Sequence, residues 1–380
     1  MRSFPLFCIA ALLVSALSTP AQAVLPPPPP PRLEARAWIL VDANSGRVIT
    51  SRNADEAVEP ASLTKLMTAY AVFSALREGR VGLDTETTVS ELAWRAGGSR
   101  MFIDVGSRVS IDDLLQGMIV QSGNDASLAL AEAIAGSEET FASLMNQHAK
   151  ALGMRGSHFL NSAGLPAEGH LVTARDMATL ARAIIGRFPG EYRRYSQREF
   201  TWNGITQPNR NGLLDRDPSV DGMKTGYTEA AGYCLVSSAQ RDGMRLIAVV
   251  MGAKGPKQRE DASLALLSYG FNFFETVKLH EAGAALGKAR VFGAEDGEAA
   301  FGPASEVFFT IPRGRAAEVV AATELRPGLQ APLAADTPVG KLRLTLDGKL
   351  VALRDLYPLA AVPEGGIFRR AWDGVAAWLE

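Results

Sequence analysis

The chain lacks most of the residue patterns that mark large functional classes. It has two cysteines in 380 residues, Cys8 and Cys234. Cys8 sits in an N-terminal segment expected to be removed, so no intramolecular disulfide is expected and stability must come from core burial. Cys234, in the apolar run Tyr233 to Val236, reads as a small buried hydrophobe. The four histidines, His148, His158, His170 and His280, are scattered without a His-Glu-x-x-His pattern, and no metal site is expected. No Gly-x-Gly-x-x-Gly and no Gly-Lys-Ser/Thr loop occurs, so no dinucleotide or nucleotide cofactor is indicated. The absence of a Gly-x-Ser-x-Gly elbow argues against an α/β-hydrolase. Basic and acidic residues nearly balance, 39 against 41, with no Lys/Arg run, which leaves no sign of a nucleic-acid partner.

What is present is ordinary globular composition, 47% hydrophobic and 21% charged, at a length that suits about two domains. Residues 1–23 read as a signal peptide: Arg2 is the positive end, Phe7 to Leu17 the apolar stretch and Ala21-Gln-Ala23 the cleavage site. Export is therefore expected, with a retained N-terminal anchor as the alternative. Its removal leaves 38 basic and 41 acidic residues. Residues 24–36 form a linker whose six prolines, Pro26 to Pro31, make a stiff spacer of about 19 Å.

Residues 37–280 read as one domain. Trp38 to Val41 and Arg47 to Thr50 flank Asn44-Ser-Gly46 as a hairpin. Pro60 to Leu76 reads as a helix with Leu63, Leu66, Met67, Tyr70 and Phe73 on its apolar face, ended by Gly79. Ser110 and Asp113 form a capping box for a helix that stops at Ser122-Gly123, and a second helix covers Asp125 to Ile134. Asp221 to Thr228, Tyr233 to Ser238 and Arg245 to Met251 read as strands, and Asp261 to Val277 as a closing helix. Strands from both ends around a helical insert predict an α+β fold, a mostly antiparallel sheet covered by helices. Residues 281–362 read as a smaller β-rich domain, with strands at Val307 to Ile311, Glu318 to Ala322 and Leu342 to Leu346 and a hairpin turn at Asp347-Gly348.

Three motifs occur in order: Ser62-Leu-Thr-Lys65, Ser122-Gly-Asn124 and Lys224-Thr-Gly226. Three residues are nearly one helical turn, so Ser62 and Lys65 share a face. A serine hydroxyl needs a base to become a nucleophile. An amine serves only if its pKa is depressed, here by burial and by a second cation such as Lys224. The helix N-terminus at Ser62 also favours developing negative charge. Ser122 can relay a proton to the leaving amine, and Asn124 can hold the substrate amide. Lys224 and Thr225 can bind a carboxylate, with Gly226 permitting close approach. The backbone N–H groups of Ser62 and Tyr227 would form the oxyanion hole.

This ordered set is the signature of serine β-lactamases and penicillin-binding proteins. The chain resembles the low-molecular-mass penicillin-binding proteins, D-alanyl-D-alanine carboxypeptidases of peptidase family S11. The resemblance extends to Pro60-Ala-Ser-Leu-Thr-Lys-Leu-Met-Thr68, Gln121-Ser-Gly-Asn-Asp-Ala126, Asn161-Ser-Ala-Gly-Leu165, Val220-Asp-Gly-Met-Lys-Thr-Gly226 and Tyr269-Gly-Phe-Asn-Phe-Phe274. It implies a β-lactamase/transpeptidase-like fold and loss of the terminal D-alanine from peptidoglycan stem peptides through a Ser62 acyl-enzyme, with β-lactam antibiotics as acylating partners. It also implies that Arg259 helps to bind the substrate carboxylate, although a surface role stays open from sequence alone. Tyr227 stands where the best-known members carry histidine. Two alternatives are a serine β-lactamase and a non-catalytic penicillin-binding sensor or scaffold. Against the first, the class A deacylating Glu with Asn four residues on is missing, since Glu168 is followed at that spacing by Val172; intact Ser62 and Lys65 argue against the second.

Residues 363–380 read as an amphipathic anchor. Ile367, Phe368, Ala371, Trp372, Val375, Trp378 and Leu379 share one helical face, and Arg369 and Arg370 lie off its centre. Such a helix is about 20 Å long, too short for a hydrocarbon core of about 30 Å, and suits the headgroup plane. The alternative is that the stripe packs on the β-domain. The expected location is the periplasmic face of the bacterial inner membrane, peripherally attached.

Overall fold

The computed structural model describes residues 26–366. The expected signal peptide and the helix over 367–379 lie outside the described residues. A five-stranded antiparallel sheet forms the centre of the larger body. Its strands are β1 (Ala37–Asp42), β2 (Val48–Arg52), β3 (Val220–Thr228), β4 (Gly232–Arg241) and β5 (Met244–Ala253), in the spatial order β2-β1-β5-β4-β3. The first hairpin and the last three strands meet where β1 pairs with β5, from Ala37 opposite Met251 to Asp42 opposite Leu246. The turn between β4 and β5 is made by Asp242 and Gly243, both at positive φ.

Side chains alternate across the sheet and both faces are covered. Ile39, Val41, Val236 and Val249 face the helical insert, packing with Leu66, Met67, Phe73, Met118 and Phe141. Leu40, Leu235, Leu246 and Val250 face the opposite way, against Leu266, Leu267 and Phe271 of the closing helix. That helix approaches closely because Gly270 has no side chain; a Cβ there would stand 2.5 Å from Leu246 Cδ1.

The longer helices are α1 (Lys65–Arg77), α2 (Ile111–Gln116), α3 (Asn124–Ala135), α4 (Glu138–Ala151), α5 (Ala174–Arg187) and α6 (Pro256–Phe273). Ser110, Ser137 and Thr173 cap α2, α4 and α5, each side-chain oxygen accepting a backbone N–H three residues on. Two features of the insert differ from the expected helices. A 3-10 turn, Ala61–Thr64, precedes α1, and a π-helical turn, Gly117–Gln121, follows α2. The π turn ends at Ser122, whose φ of 68° is left-handed.

The closing helix also differs: it starts at Pro256 and ends at Phe273 rather than Val277. Phe274–His280 is a strand that pairs antiparallel with Val307–Pro312. Val277 and Leu279 pack on a third core that includes Phe309, Ile311, Leu342, Leu344 and Leu356. The apolar spacing fits a helix continued through Val277, but tertiary pairing claims those residues. This smaller body also holds a five-stranded antiparallel sheet, ordered Gly287–Arg290, Glu298–Gly302, Lys349–Pro358, Gly340–Leu346 and Val320–Leu325. Among the described residues no helix is long and apolar enough to cross a membrane.

Candidate active site

Ser62 and Lys65 sit on the turn that runs from Pro60 into α1. Ala61, just before the serine, has a φ of 48°, a left-handed conformation costly for a residue with a Cβ. Lys65 is 1% exposed. Its Nζ donates to Ser62 Oγ at 3.1 Å, Asn124 Oδ1 at 2.6 Å and the Ala163 carbonyl at 2.7 Å. Burial lowers its pKa to about 7, against the opposing pull of the Asp125 and Glu138 carboxylates. An amine at that value is neutral often enough at working pH to take a proton from the adjacent hydroxyl.

Ser122 and Asn124 come from the break between the π turn and α3. Asn124 is engaged at both ends: its Oδ1 accepts from Lys65, and its Nδ2 donates to the Gly97 carbonyl at 2.6 Å. The neighbouring Asp125 is fully buried and accepts from the N–H groups of Met101 and Phe102 at 3.0 and 2.9 Å. These bonds hold the 97–103 loop over the site. Gly117 leaves room for the same loop, since a Cβ there would stand 2.3 Å from Met101 Sδ.

The third motif lies on β3, which runs past the nucleophile turn. At Gly226 a Cβ would stand 3.1 Å from the Pro60 carbonyl and 3.2 Å from Leu63 N, so glycine sets the close approach. Lys224 is buried, its Nζ donating to the Thr225 carbonyl at 3.1 Å. Burial holds its pKa well below the ordinary lysine value, and the cations Lys65, Arg259 and Arg210 push it the same way. Arg259, in the first turn of α6, is 8% exposed and is no surface residue. Its guanidinium stands 5.6 Å from the Tyr233 ring centre and donates at 3.4 Å to the Gly226 carbonyl. Tyr227 stacks on Tyr233 with ring centres 4.3 Å apart and leaves half of itself exposed.

A cavity of about 320 Å³ gathers these groups. Ser62, Ser122, Thr225, Gly226, Tyr227 and Arg259 line it, together with Ser99, Arg210, Tyr233 and Pro256. Lys65, Asn124 and Lys224 lie beneath that lining. Two arginines and no carboxylate line the cavity, so it suits an anionic ligand. Larger hollows, about 540 and 680 Å³, lie elsewhere and hold none of the motif residues. Sequence reasoning missed Ser99, Arg210 and the Ala163 carbonyl. The Asn161-Ser-Ala-Gly-Leu165 segment pointed to the last of these, but no local pattern marks the first two. Among the described residues no cluster of His, Cys, Asp or Glu is placed to hold a metal ion.

Comparison with known proteins agrees with this geometry. Residues 23–255 match the D-alanyl-D-alanine carboxypeptidase family, peptidase S11, and residues 274–364 match the C-terminal domain of penicillin-binding protein 5. The chain is 46% identical over 353 residues to D-alanyl-D-alanine carboxypeptidase DacC of Escherichia coli, covering 91% of this chain and 88% of that protein. It is 42% identical to D-alanyl-D-alanine carboxypeptidase DacA of Haemophilus influenzae, covering 97% and 95%. The solved structure of penicillin-binding protein 5 from Haemophilus influenzae superposes with a TM-score of 0.84 at 43% identity, covering 88% of this chain and 99% of that one. With Ser62 lining a cleft rich in arginine and Lys65 buried beneath it, the chain belongs to the D-alanyl-D-alanine carboxypeptidase family and is a serine-type peptidase of that specificity.

Proposed function

We propose that Ser62 is the nucleophile and Lys65 its base in the release of terminal D-alanine from peptidoglycan stem pentapeptides. The observation that carries this is the 3.1 Å contact from Lys65 Nζ to Ser62 Oγ, made by a fully buried amine with a pKa lowered to about 7. Lys65 takes the hydroxyl proton as Ser62 Oγ adds to the penultimate carbonyl carbon. The oxyanion is met by the N–H groups of Ser62 and Tyr227. Ser122 passes a proton to the departing amine of D-alanine, and the C–N bond breaks to leave an ester on Ser62. Lys224, Thr225, Gly226 and Arg259 receive the substrate's terminal carboxylate, and Asn124 steadies both Lys65 and the substrate amide. Water then hydrolyses the ester.

A β-lactam enters the same route, but its leaving group stays tethered after ring opening and obstructs water. The adduct is therefore long-lived, and the β-lactamase alternative is not favoured. Mass spectrometry of penicillin-treated protein is expected to show one adduct, absent in Ser62→Ala, and a steady-state assay to show D-alanine release far exceeding penicillin turnover. Labelling elsewhere, or rapid penicillin turnover, overturns the proposal.

We also propose export by residues 1–23 and attachment to the membrane surface by the amphipathic segment 367–379. The sequence pattern of the two segments supports this reading. Deleting residues 367–380 is expected to move the mature protein into the soluble fraction while hydrolysis of a soluble D-Ala–D-Ala peptide stays nearly unchanged. Unaltered membrane association rules the anchor out.

A further inference from the structure

The Lys65 amine is held by three acceptors, and one of them, the Ala163 carbonyl, belongs to the 161–165 loop, outside the three ordered motifs. That loop lies flush against the nucleophile turn. Gly164 has a φ of 84°, and a Cβ there would stand 1.8 Å from the Ala61 carbonyl oxygen. Asn161 closes the loop on itself, its Oδ1 accepting from Gly164 N and Leu165 N at 2.7 and 3.0 Å. The fully buried Ser162, next to Ala163, ties the loop to two helices. Its carbonyl accepts from Thr68 Oγ1 of α1 at 2.6 Å. Its N–H and Oγ both donate to Glu138 Oε1, at 2.9 and 2.6 Å, from the first turn of α4.

We propose that Glu138 is a positioning residue for Lys65, acting through Ser162 and the Ala163 carbonyl, and through its own negative charge on that side of the amine. Among the described residues no cation pairs with Glu138, whereas the other nearby carboxylate, Asp125, has Arg100 Nε at 3.8 Å and several backbone N–H donors. The Glu138 carboxylate favours the protonated amine and opposes the effect of burial. Among the described residues, Lys224 from β3 and His170, whose Nε2 lies 3.0 Å from Thr64 Oγ1, also face this part of α1. Burial lowers the His170 pKa to about 4, so it is neutral near pH 7. Glu138 thus fixes where Lys65 sits and also raises the pH at which it becomes a base.

This rests on the reading of Lys65 as the base, and the test separates the two. Acylation of the full mature chain by a fluorescent penicillin is followed from about pH 5 to about pH 10. Glu138→Gln keeps an acceptor for Ser162 and loses the charge. Its acid limb is expected to move to lower pH, so that one unit below the wild-type midpoint it acylates roughly threefold faster or more. Glu138→Ala is expected to move the limb likewise and also to lower the plateau, because the loop is untied. Ser162→Ala is expected to lower the plateau with the limb unmoved, since the charge remains. If Lys65→Ala is inactive but the limb of Glu138→Gln coincides with wild type, the inference is overturned and the base reading stands. If Lys65→Ala acylates at close to the normal rate, the base reading itself fails.

Discussion

Lys65 binds its proton less readily in the folded chain than in the unfolded one, because the folded amine is fully buried. Two consequences have opposite signs. With Lys65 as the proposed base, acylation needs the neutral amine, so its rate is expected to rise with pH through about 7 and to fall about tenfold per unit below that. Between about 7 and the ordinary lysine value of 10.5 the unfolded chain holds the extra proton, so this group makes folding stability increase as pH rises across that window. A pH series of penicillin acylation, with denaturant unfolding at the same values, measures both. Substitution separates the two lysines. Lys65→Ala is expected to abolish acylation, whereas Lys224→Ala weakens substrate capture and so raises KM for a D-Ala–D-Ala peptide. At this scale the sequence was legible where neighbours in space are neighbours in the chain. Ser62 and Lys65 are a helical turn apart, and Lys224 to Tyr227 follow one strand. Arg210 and Ser99 come from loops whose place depends on remote packing, and no spacing rule reaches them. The motif alone marks Asn124 as a substrate contact, whereas the fold also binds its side chain to Lys65 and the Gly97 carbonyl.

Among the elements, those set by local chemistry were the readable ones. The Ser110 cap, the Asp347-Gly348 turn and the alternating strands have their cause within a few residues. The 3-10 turn at Ser62, the π turn before Ser122 and the strand at Phe274 answer to contacts with segments well removed in the chain, or to the close fit around the site. The loop carrying Ala163 shows what that fit demands. In Gly164→Ala the left-handed backbone costs about 1–2 kcal/mol, and the new methyl also meets the Ala61 carbonyl. The loop must then shift and take the Ala163 carbonyl from Lys65. Acylation is expected to fall by roughly tenfold or more, by analogy with the loss from small misplacements of reacting groups. Gly153→Ala supplies the control: its φ is also positive, at 76°, but nothing lies within 4 Å of the added methyl. It is expected to lose comparable backbone stability and keep its acylation rate. Equal acylation loss in both variants would sink the idea that the fit to Ala61, rather than general destabilisation, matters.

Over the whole molecule, the two bodies are joined by a polar pin at the tip of the first hairpin. The fully buried Asp42, at the end of β1, accepts from Ser45 N at 2.7 Å and from Thr276 Oγ1 at 2.7 Å. Thr310 Oγ1 shares hydrogen bonds with Ser45 Oγ at 2.6 Å and Thr276 Oγ1 at 3.0 Å. Arg47 donates to the Thr310 carbonyl, and Arg354 donates to the Ser45 carbonyl at 2.9 Å. Thr276 and Thr310 lie on the paired strands of the smaller body, and Ser45 lies in the turn between β1 and β2. The pin therefore fastens the smaller body to the catalytic sheet at a place separate from the nucleophile turn. Thr310→Val keeps the shape and removes the shared hydroxyl. Its half-buried partners, Ser45 and Thr276, lose a hydrogen bond at a cost of about 1 kcal/mol, and this is expected as a lower unfolding midpoint. Acylation of Ser62 is expected to stay within about twofold of wild type, because no group of the pin touches the cleft and distant sites act nearly independently. Thermal unfolding and penicillin acylation of the same variant decide the matter. A large fall in acylation with little change in the midpoint would mean that the smaller body governs the cleft rather than merely being fastened to it.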